Sequence, residues 1–583
     1  MNFYREIENN IRLIIKDLDF AQDHPKTLFD GLSVERVKNI KHGDLATNIA
    51  MIMSGKIKKP AKEIAKKISK SLEKIKGVDS VSIAGPGFIN IKMKDDFWFK
   101  ELVQILKKGE EYAKSKIGKR KKVNIEFVSA NPTGPMHIGH ARGAIIGDVL
   151  ASMFENADYD VTREFYVNDA GSQINDLTHS VYYRYLESLG SKPKKFPNGF
   201  YPGKYLIKLA EMIEKKYGNQ LKDVDKKVWF PKIKNFSIEY ILDLIKVDLS
   251  NLGITFDQFI SEQSLLEKET VEKTMKMLKK KDLIYVGKLA NPKGSSDEKW
   301  EQRSQLLFKS TRFGDDMDRT LKKQNGSWTY FASDISYHLD KYDRGFNKMI
   351  NIWGVDHGGY VKRIKAAVKA LTDGKGDLDI LLCQLVKLKE GNNPLKMSKR
   401  EGNFVGLDEV LKKVGKDVLR FIMLTRKNDV PLDFDFKKVT EKTKDNPVFY
   451  VQYAHARCNS VFRMAKEMLP SVDLSKEELI KAKHNLLKND IEISLIKLLA
   501  EWPNILEKSR KMLEPHRCVF FLNDLASLFH SFWGMGKDNE KLRFIIPGNI
   551  ELTRARMSLI YGVMTIISSA LKIFGVKPVK EMH

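Results

Sequence analysis

Residues 126–142 read Glu-Phe-Val-Ser-Ala-Asn-Pro-Thr-Gly-Pro-Met-His-Ile-Gly-His-Ala-Arg, and they hold the side chains best suited to chemistry. His137 and His140 are three apart, so on a helix they share one face. Val123 to Val128 is a short β-prone run, broken by Asn131, Pro132, Gly134 and Pro135. From Met136 onward Ile138, Ile145, Val149 and Met153 recur at helical spacing. Strand, turn and helix N-terminus together make an anion site, because free backbone N–H groups and the helix dipole face one ligand. Gly139 predicts close approach of a flat base or sugar to the backbone. A His-x-x-His pair also suits a metal, but a zinc site needs three or four ligands. No Cys or further His lies near, and two ordinary structural histidines are the remaining reading.

Far downstream stands Lys396-Met-Ser-Lys-Arg400, between Glu390-Gly-Asn-Asn-Pro394 and Glu401-Gly-Asn403. Alone, a basic pentapeptide is usually a solvated loop. Together the two stretches resemble the HIGH and KMSKS signatures of class I aminoacyl-tRNA synthetases. The HIGH region then comprises Ala130, Asn131, Pro132, Thr133, Gly134, Pro135, Met136, His137, Ile138, Gly139 and His140. Further segments resemble the arginyl-tRNA synthetases: Gly43-Asp-Leu-Ala-Thr-Asn48, Ala84-Gly-Pro-Gly-Phe-Ile-Asn90 and Tyr166-Val-Asn-Asp-Ala-Gly171. So do Asp417-Val-Leu-Arg-Phe421, Val451-Gln-Tyr-Ala-His-Ala-Arg457 and Leu552-Thr-Arg-Ala-Arg556. The resemblance therefore covers nearly the whole chain, and the terminal segments carry its arginyl part.

The resemblance implies an arginine–tRNA ligase that takes ATP, L-arginine and tRNA(Arg), with Mg²⁺ on the phosphates. It implies catalytic roles for His137, His140, Lys396 and Lys399. ATP would contact Pro132, Thr133, Gly134, His137, Gly139, His140, Asp356, His357, Met397, Ser398 and Lys399. Guanidinium is planar and always charged, so its recognition asks for carboxylates. The spacings Glu126–Asn131 and Tyr330–Asp334 match the family's arginine-binding residues. They imply Asp334 and Tyr330 on the guanidinium, Asn131 on the amino-acid backbone groups, and Glu126 in the amino-acid site generally. A family pocket glutamine has no match near Gly354-Val-Asp-His357, and both lysines of the KMSKR are intact where many arginyl enzymes have lost one. A monomer in the cytoplasm, with no membrane, is the remaining expectation.

The elements that must position these residues imply a multidomain α/β chain. Residues 1–110 predict a small α/β domain, which the resemblance places on the tRNA elbow. Pro60 opens an amphipathic helix there, with Ile64, Ile68, Leu72 and Ile75 on one stripe. Val81 to Ile91 alternates as strands about Gly85-Pro-Gly87. Residues 111–405 predict a Rossmann-like parallel-sheet catalytic domain with an insertion over about 175–300. In it, Ser327–Asp334 and Met349–His357 read as buried strands with Asp334, Asp356 and His357 at their ends, where open α/β sheets bind ligands. Residues 406–440 predict a helical connection. Residues 441–583 predict an all-α helical bundle, implied to bind the anticodon, with Asn459, Lys508, Arg510 and Lys511 as polar surface candidates.

At 583 residues and +26 net charge, a polyanionic partner is expected, though a lysine-rich proteome gives the same balance. Cys383, Cys458 and Cys518 are too few and too scattered for a disulfide framework or CxxC metal site, which fits a reducing cytosol. The N-terminus lacks a signal-peptide apolar core. Met557 to Leu571 carries no charge but is shorter than the roughly 20 residues of a membrane span, so a buried terminal helix is expected. A synthetase for another amino acid, or an RNA-binding paralogue without activity, are the competing functions.

Overall fold

The computed structural model describes residues 2–18, 29–37, 42–191, 199–289, 304–391, 393–395 and 405–582. Strand Lys122–Glu126 is the centre of a five-stranded sheet. It pairs in parallel with Asp160–Val167 on one side and Lys348–Gly354 on the other. Gln258–Ser261 and Asp377–Cys383 form the edges, again parallel. In chain order these strands lie fifth, fourth, first, second, third across the sheet. This is the doubly wound order, and its direction reverses between Lys122–Glu126 and Lys348–Gly354. A crevice opens beyond the carboxyl ends of those two strands. Helix Ile138–Asn156 follows the first strand and packs tightly on it. At Gly147 any Cβ would stand 2.3 Å from the Phe127 ring, so only glycine permits that approach.

Helices Ser172–Ser188, Tyr205–Tyr217 and Lys226–Asn251 cross from the second strand to the third. The helical insertion expected over about 175–300 thus contains an edge strand of the sheet itself, Gln258–Ser261. Tyr182 and Tyr185 pack rather than present bases: Tyr182 stacks on Trp229 at 3.8 Å, and Tyr185 is buried. Beyond helix Thr270–Lys280 lies a small antiparallel sheet, Ile284–Gly287, Gln305–Phe308 and Arg319–Thr320.

The strand expected at Ser327–Asp334 is not formed. Tyr330–Asp343 is a helix, capped by Thr329, whose hydroxyl accepts from the Ala332 N–H. The aromatic run Trp328, Tyr330, Phe331 is β-prone, but the cap and the apolar face of Phe331 and Ile335 decide for helix. The expected strand at 349–357 is present as Lys348–Gly354, followed by a 3₁₀ turn, Val355–Tyr360. The connection over 406–440 is helical at Leu407–Val414 and Lys416–Met423, but Leu432–Asp435 is a strand, parallel to Val386–Glu390.

The chain divides into two compact units, 116–441 and a second formed by 1–115 with 442–583. In the second, an antiparallel sheet of Val34–Arg36, Leu45–Thr47, Phe88–Met93 and Val78–Ala84 packs with helices Phe3–Lys16, Ile49–Ile57 and Ala61–Leu72. The strands flank Gly85–Gly87 and the helix follows Pro60, as the patterns predict. Helix Asp95–Lys108 joins this layer to the bundle Pro447–Met468, Asp490–Met512, His516–Asp538 and Ile550–Ile573. Asp44 accepts from Met93 N–H at 2.8 Å and pairs with Lys497 at 2.5 Å. Helix Ile550–Ile573 is long and apolar enough to cross a membrane by composition alone, yet 78% of its most apolar window is buried in the bundle core. Of the polar surface candidates there, Arg510 is buried, and Lys508 is held by Glu35 at 3.1 Å.

Candidate active site

A cavity of about 200 Å³ lies at the switch point. Its lining includes Glu126 and Ser129 from the first strand and its turn, Tyr166 and Asn168 from the second, and Asp334 and His338 from helix Tyr330–Asp343. Trp353, His357 and Tyr360 close it from the fourth strand and its turn.

The turn after the first strand is sharp. Ser129 N–H donates to the Phe127 carbonyl at 2.9 Å across Val128, whose φ is +67°. This two-residue-span bond at positive φ is a γ-type turn, which is strained, and more so for a β-branched residue. Ser129 is also left-handed, at φ +39°. What holds both is a set of bonds to Ser129: its hydroxyl donates to Glu126 Oε1 at 3.1 Å and accepts from Tyr166 N–H at 3.1 Å. Its carbonyl accepts from Asn168 at 3.2 Å. Such over-determined strain is typical of functional sites.

Two acids in the cavity differ in their partners. Glu126, buried on the central strand, accepts from the fully buried Lys341 at 2.6 Å. Lys341 also donates to Asn351 at 3.1 Å and lies 4.0 Å from Glu164. Burial would raise the Glu164 carboxyl, but Lys341 and Arg344, the latter 2.6 Å away, outweigh it and hold it low. Asp334 has no Lys or Arg within ion-pair distance among the described residues. Its Oδ2 accepts from the Tyr360 hydroxyl at 2.5 Å. Burial, with Glu262 and Glu126 nearby, pushes Asp334 up to about 7. His338, buried with Asn351 Nδ2 2.9 Å from its Nε2, is pushed down to about 3 by burial and Lys341, so it is neutral.

The anion-site reading rests on the next turn. Helix Ile138–Asn156 begins one residue after His137, which is its N-cap. His137 Nδ1 accepts from Gly139 N–H at 3.1 Å, and His140 Nδ1 accepts from His137 N–H at 3.3 Å. Both rings therefore carry their proton on Nε2. They stack at 3.9 Å, sharing one face as their spacing predicts. At Gly139 a Cβ would meet the His137 ring at 2.9 Å. Its missing side chain makes room for the capping imidazole. Met136 N–H donates to Asp248 at 3.1 Å, and burial lifts Asp248 to about 6.

Three family models match. Residues 5–93 fit the arginyl tRNA synthetase N terminal domain, 101–462 the tRNA synthetases class I (R) catalytic domain, and 451–582 the DALR anticodon binding domain. The arginine–tRNA ligase of Rickettsia prowazekii is 48% identical over 584 residues, all of both chains. The chain belongs to the arginyl-tRNA synthetase family. A putative arginyl synthetase structure from Campylobacter jejuni, 31% identical, superposes with a TM-score of 0.72 over 84% of this chain and all of that one. The Thermus thermophilus arginyl-tRNA synthetase shares the fold at a TM-score of 0.74 over 99% of this chain and all of that one, at 18% identity.

Within the synthetase, Glu126, Asp334 and His357 meet at the cavity. Tyr330 does not: it is 57% exposed, beside Gly171, with Lys323 4.8 Å over its ring. One helical turn separates it from Asp334. Asn131 is exposed and donates to Gln173 at 2.7 Å. Pro132, Thr133 and Gly134 form the turn before the histidines. Asp356 is exposed and is not among the residues lining the cavity, and the neighbouring His357 Nε2 lies 3.5 Å from it. Lys396, Met397, Ser398, Lys399 and Arg400 lie outside the described residues. Sequence reasoning missed Lys341, Ser129, Tyr360 and Tyr205. The last, from the crossover helices, donates to the Thr133 carbonyl at 2.5 Å and packs its hydroxyl end on Gly134, where a Cβ would stand 3.0 Å from it. Lys341 could have been found: it follows Asp334 at i+7, on the helical face of a segment read as strand.

Proposed function

We propose that the cavity takes the arginine side chain, with Asp334 and Glu126 facing its guanidinium and Tyr330 and Asn131 at the mouth. ATP then lies along the 132–140 turn, its phosphates on the helix N-terminus and the Nε2–H edges of His137 and His140. An arginine carboxylate oxygen attacks the α-phosphorus, the bond to the bridging oxygen breaks, and pyrophosphate leaves with that electron pair. A carboxylate is already a nucleophile at neutral pH, so the residues position reactants and stabilise charge rather than move protons. Lys396 and Lys399 are the cations for the departing pyrophosphate. In the second step a terminal ribose hydroxyl of tRNA(Arg) attacks the adenylate carbonyl, and AMP leaves.

Magnesium would neutralise phosphate charge. Such an ion would come bound to ATP, because Mg²⁺ is usually held by substrate phosphates and water with few protein ligands. The family supplies tRNA, ATP and arginine as partners; a monomer in the cytoplasm is our reading.

The observation carrying the substrate assignment is Asp334. It is an acid without a cation partner among the described residues, in a pocket at the switch point. Aminoacylation of bulk tRNA with arginine, lysine and citrulline tests it. Arginine alone should be charged, and Asp334→Asn should abolish most of that. Charging of lysine, or parent-rate charging by Asp334→Asn, overturns the assignment. Pyrophosphate exchange should also stay negligible until tRNA is added, as for arginyl enzymes generally.

A further inference from the structure

We propose that Tyr360 is a positioning residue for substrate recognition: its hydroxyl holds one oxygen of Asp334 and thereby aims the other at the guanidinium. The inference rests on the reading of the cavity as the arginine site. Tyr360 and Asp334 come from different elements, one from the turn after strand Lys348–Gly354, the other from the first turns of helix Tyr330–Asp343. Their bond, at 2.5 Å, is the hydrogen bond to the Asp334 carboxylate among the described residues.

The phenol is itself fixed. Its ring packs edge-on to Phe331 at 6.1 Å and against Trp353 at 6.0 Å, and the Arg363 guanidinium lies 5.0 Å over its face. An Asp χ2 torsion is otherwise broad and two-fold, so an unheld carboxylate would sample many planes. A planar guanidinium binds best when the carboxylate plane is preset. Holding Oδ2 leaves Oδ1 as the oxygen whose direction is defined.

The same bond acts on charge. A donor to the carboxylate favours its ionised form, against burial and the neighbouring acids. The groups that face Asp334 are Glu126 from the central strand, Glu262 after the edge strand, Tyr166 from the second strand, and His338 and Lys341 from its own helix. Lys341 is already paired with Glu126, and His338 is neutral, so Tyr360 is the nearest stabiliser of the Asp334 charge.

The test is arginine-dependent pyrophosphate exchange with saturating tRNA, on the full chain, for the parent, Tyr360→Phe, Asp334→Asn and the double variant. Phenylalanine keeps the ring packing. We expect Tyr360→Phe to raise the arginine KM roughly tenfold, the worth of one hydrogen bond to a charged group, with kcat and the ATP KM little changed. The loss should be larger at pH 6.5 than at pH 8.5, because without its donor the carboxylate stays protonated to higher pH. In the Asp334→Asn background, Tyr360→Phe should add nothing. An unchanged KM, or an equal loss in both backgrounds, overturns the role of Tyr360. An Asp334→Asn variant with parent activity overturns instead the cavity assignment beneath it.

Discussion

Charged groups are buried in both units, but they are completed differently. In the bundle, Arg556 donates to Glu492 at 2.7 Å, and both side chains are at most 4% exposed. Its Nη1 donates to the carbonyls of both Lys541 and Arg543. Glu492 in turn completes a capping box with Asn489. Both charges of this pair meet their partners within the chain. In the catalytic unit, Glu126 has Lys341, but Asp334 has, among the described residues, only a phenol. Burying a charge without a counterion is costly, so an acid left in that state points to a partner from outside. Motif alone does not separate the two cases. Arg556 and Asp334 both lie in segments that resemble the family, and only the partner inventory tells a structural charge from a binding one.

The largest effect that should break this comparison is on substrate. Asp334→Asn removes the uncompensated charge and keeps the shape. Losing one partner of a buried, hydrogen-bonded ion pair costs about 3–5 kcal/mol, so kcat/KM for arginine should fall about 10²- to 10³-fold or more. Folding stability should hold or rise, because the acid now repels Glu126 and Glu262. A drop in thermal midpoint without loss of activity would make Asp334 a structural residue.

Arg556→Met should do the reverse. It strands Glu492 in the bundle, at about 3–5 kcal/mol in urea unfolding. Pyrophosphate exchange per folded molecule, with saturating tRNA, should stay near the parent value. If exchange falls while stability holds, the division between structural and binding charges fails.

A smaller, graded effect comes from pH. The Asp334 carboxyl sits near 7 in the empty cavity, above its ordinary value, so it is mostly protonated below that pH. Ionising it in the folded state is unfavourable, so its contribution to folding stability declines as pH rises from about 4 to about 7. Arginine needs the ionised form, so its affinity should rise about tenfold from pH 6 to pH 8, with the fraction ionised. Calorimetric titration of the parent and Asp334→Asn checks this, and a pH-independent affinity in the parent refutes it.

What was legible from sequence follows the range of the interactions. The central strand, the turn and the helix after it are local, and Val123–Val128 and Ile138–Met153 show them by period alone. The acids Glu126 and Asp334 are recognisable because motif spacing marks them. Their partners are not, because Lys341 lies 215 residues from Glu126 and Tyr360 26 from Asp334. Those pairs exist only once the sheet is wound. The one wrong element at the site, a strand at 327–334, came from weighting aromatic β-propensity over the Thr329 cap. It hid the i, i+4, i+7 face of Asp334, His338 and Lys341. What crowds Gly139 was equally hidden: it is the ring of His137, folded back onto the helix end.

The finest contrast sets two valines against each other. Val563 is fully buried in helix Ile550–Ile573, unstrained and packed. Val128 lines the cavity at φ +67°, where a β-branched residue is strained by about 1–3 kcal/mol. Glycine at 563 loses core contacts and helix propensity, and should cost about 3 kcal/mol or more. Glycine at 128 relieves the strain but adds about 0.5–1 kcal/mol of backbone entropy and forfeits some half-buried surface. The terms nearly cancel, so Val128→Gly should unfold in urea within about 1 kcal/mol of the parent. Its cost should appear in function instead. A looser turn leaves Ser129 less firmly aimed at Glu126, so the arginine KM should rise a few-fold, on the order of 1 kcal/mol or less, while kcat holds. If Val128→Gly destabilises as much as Val563→Gly, the turn is held by ordinary packing and the strain does not serve the site.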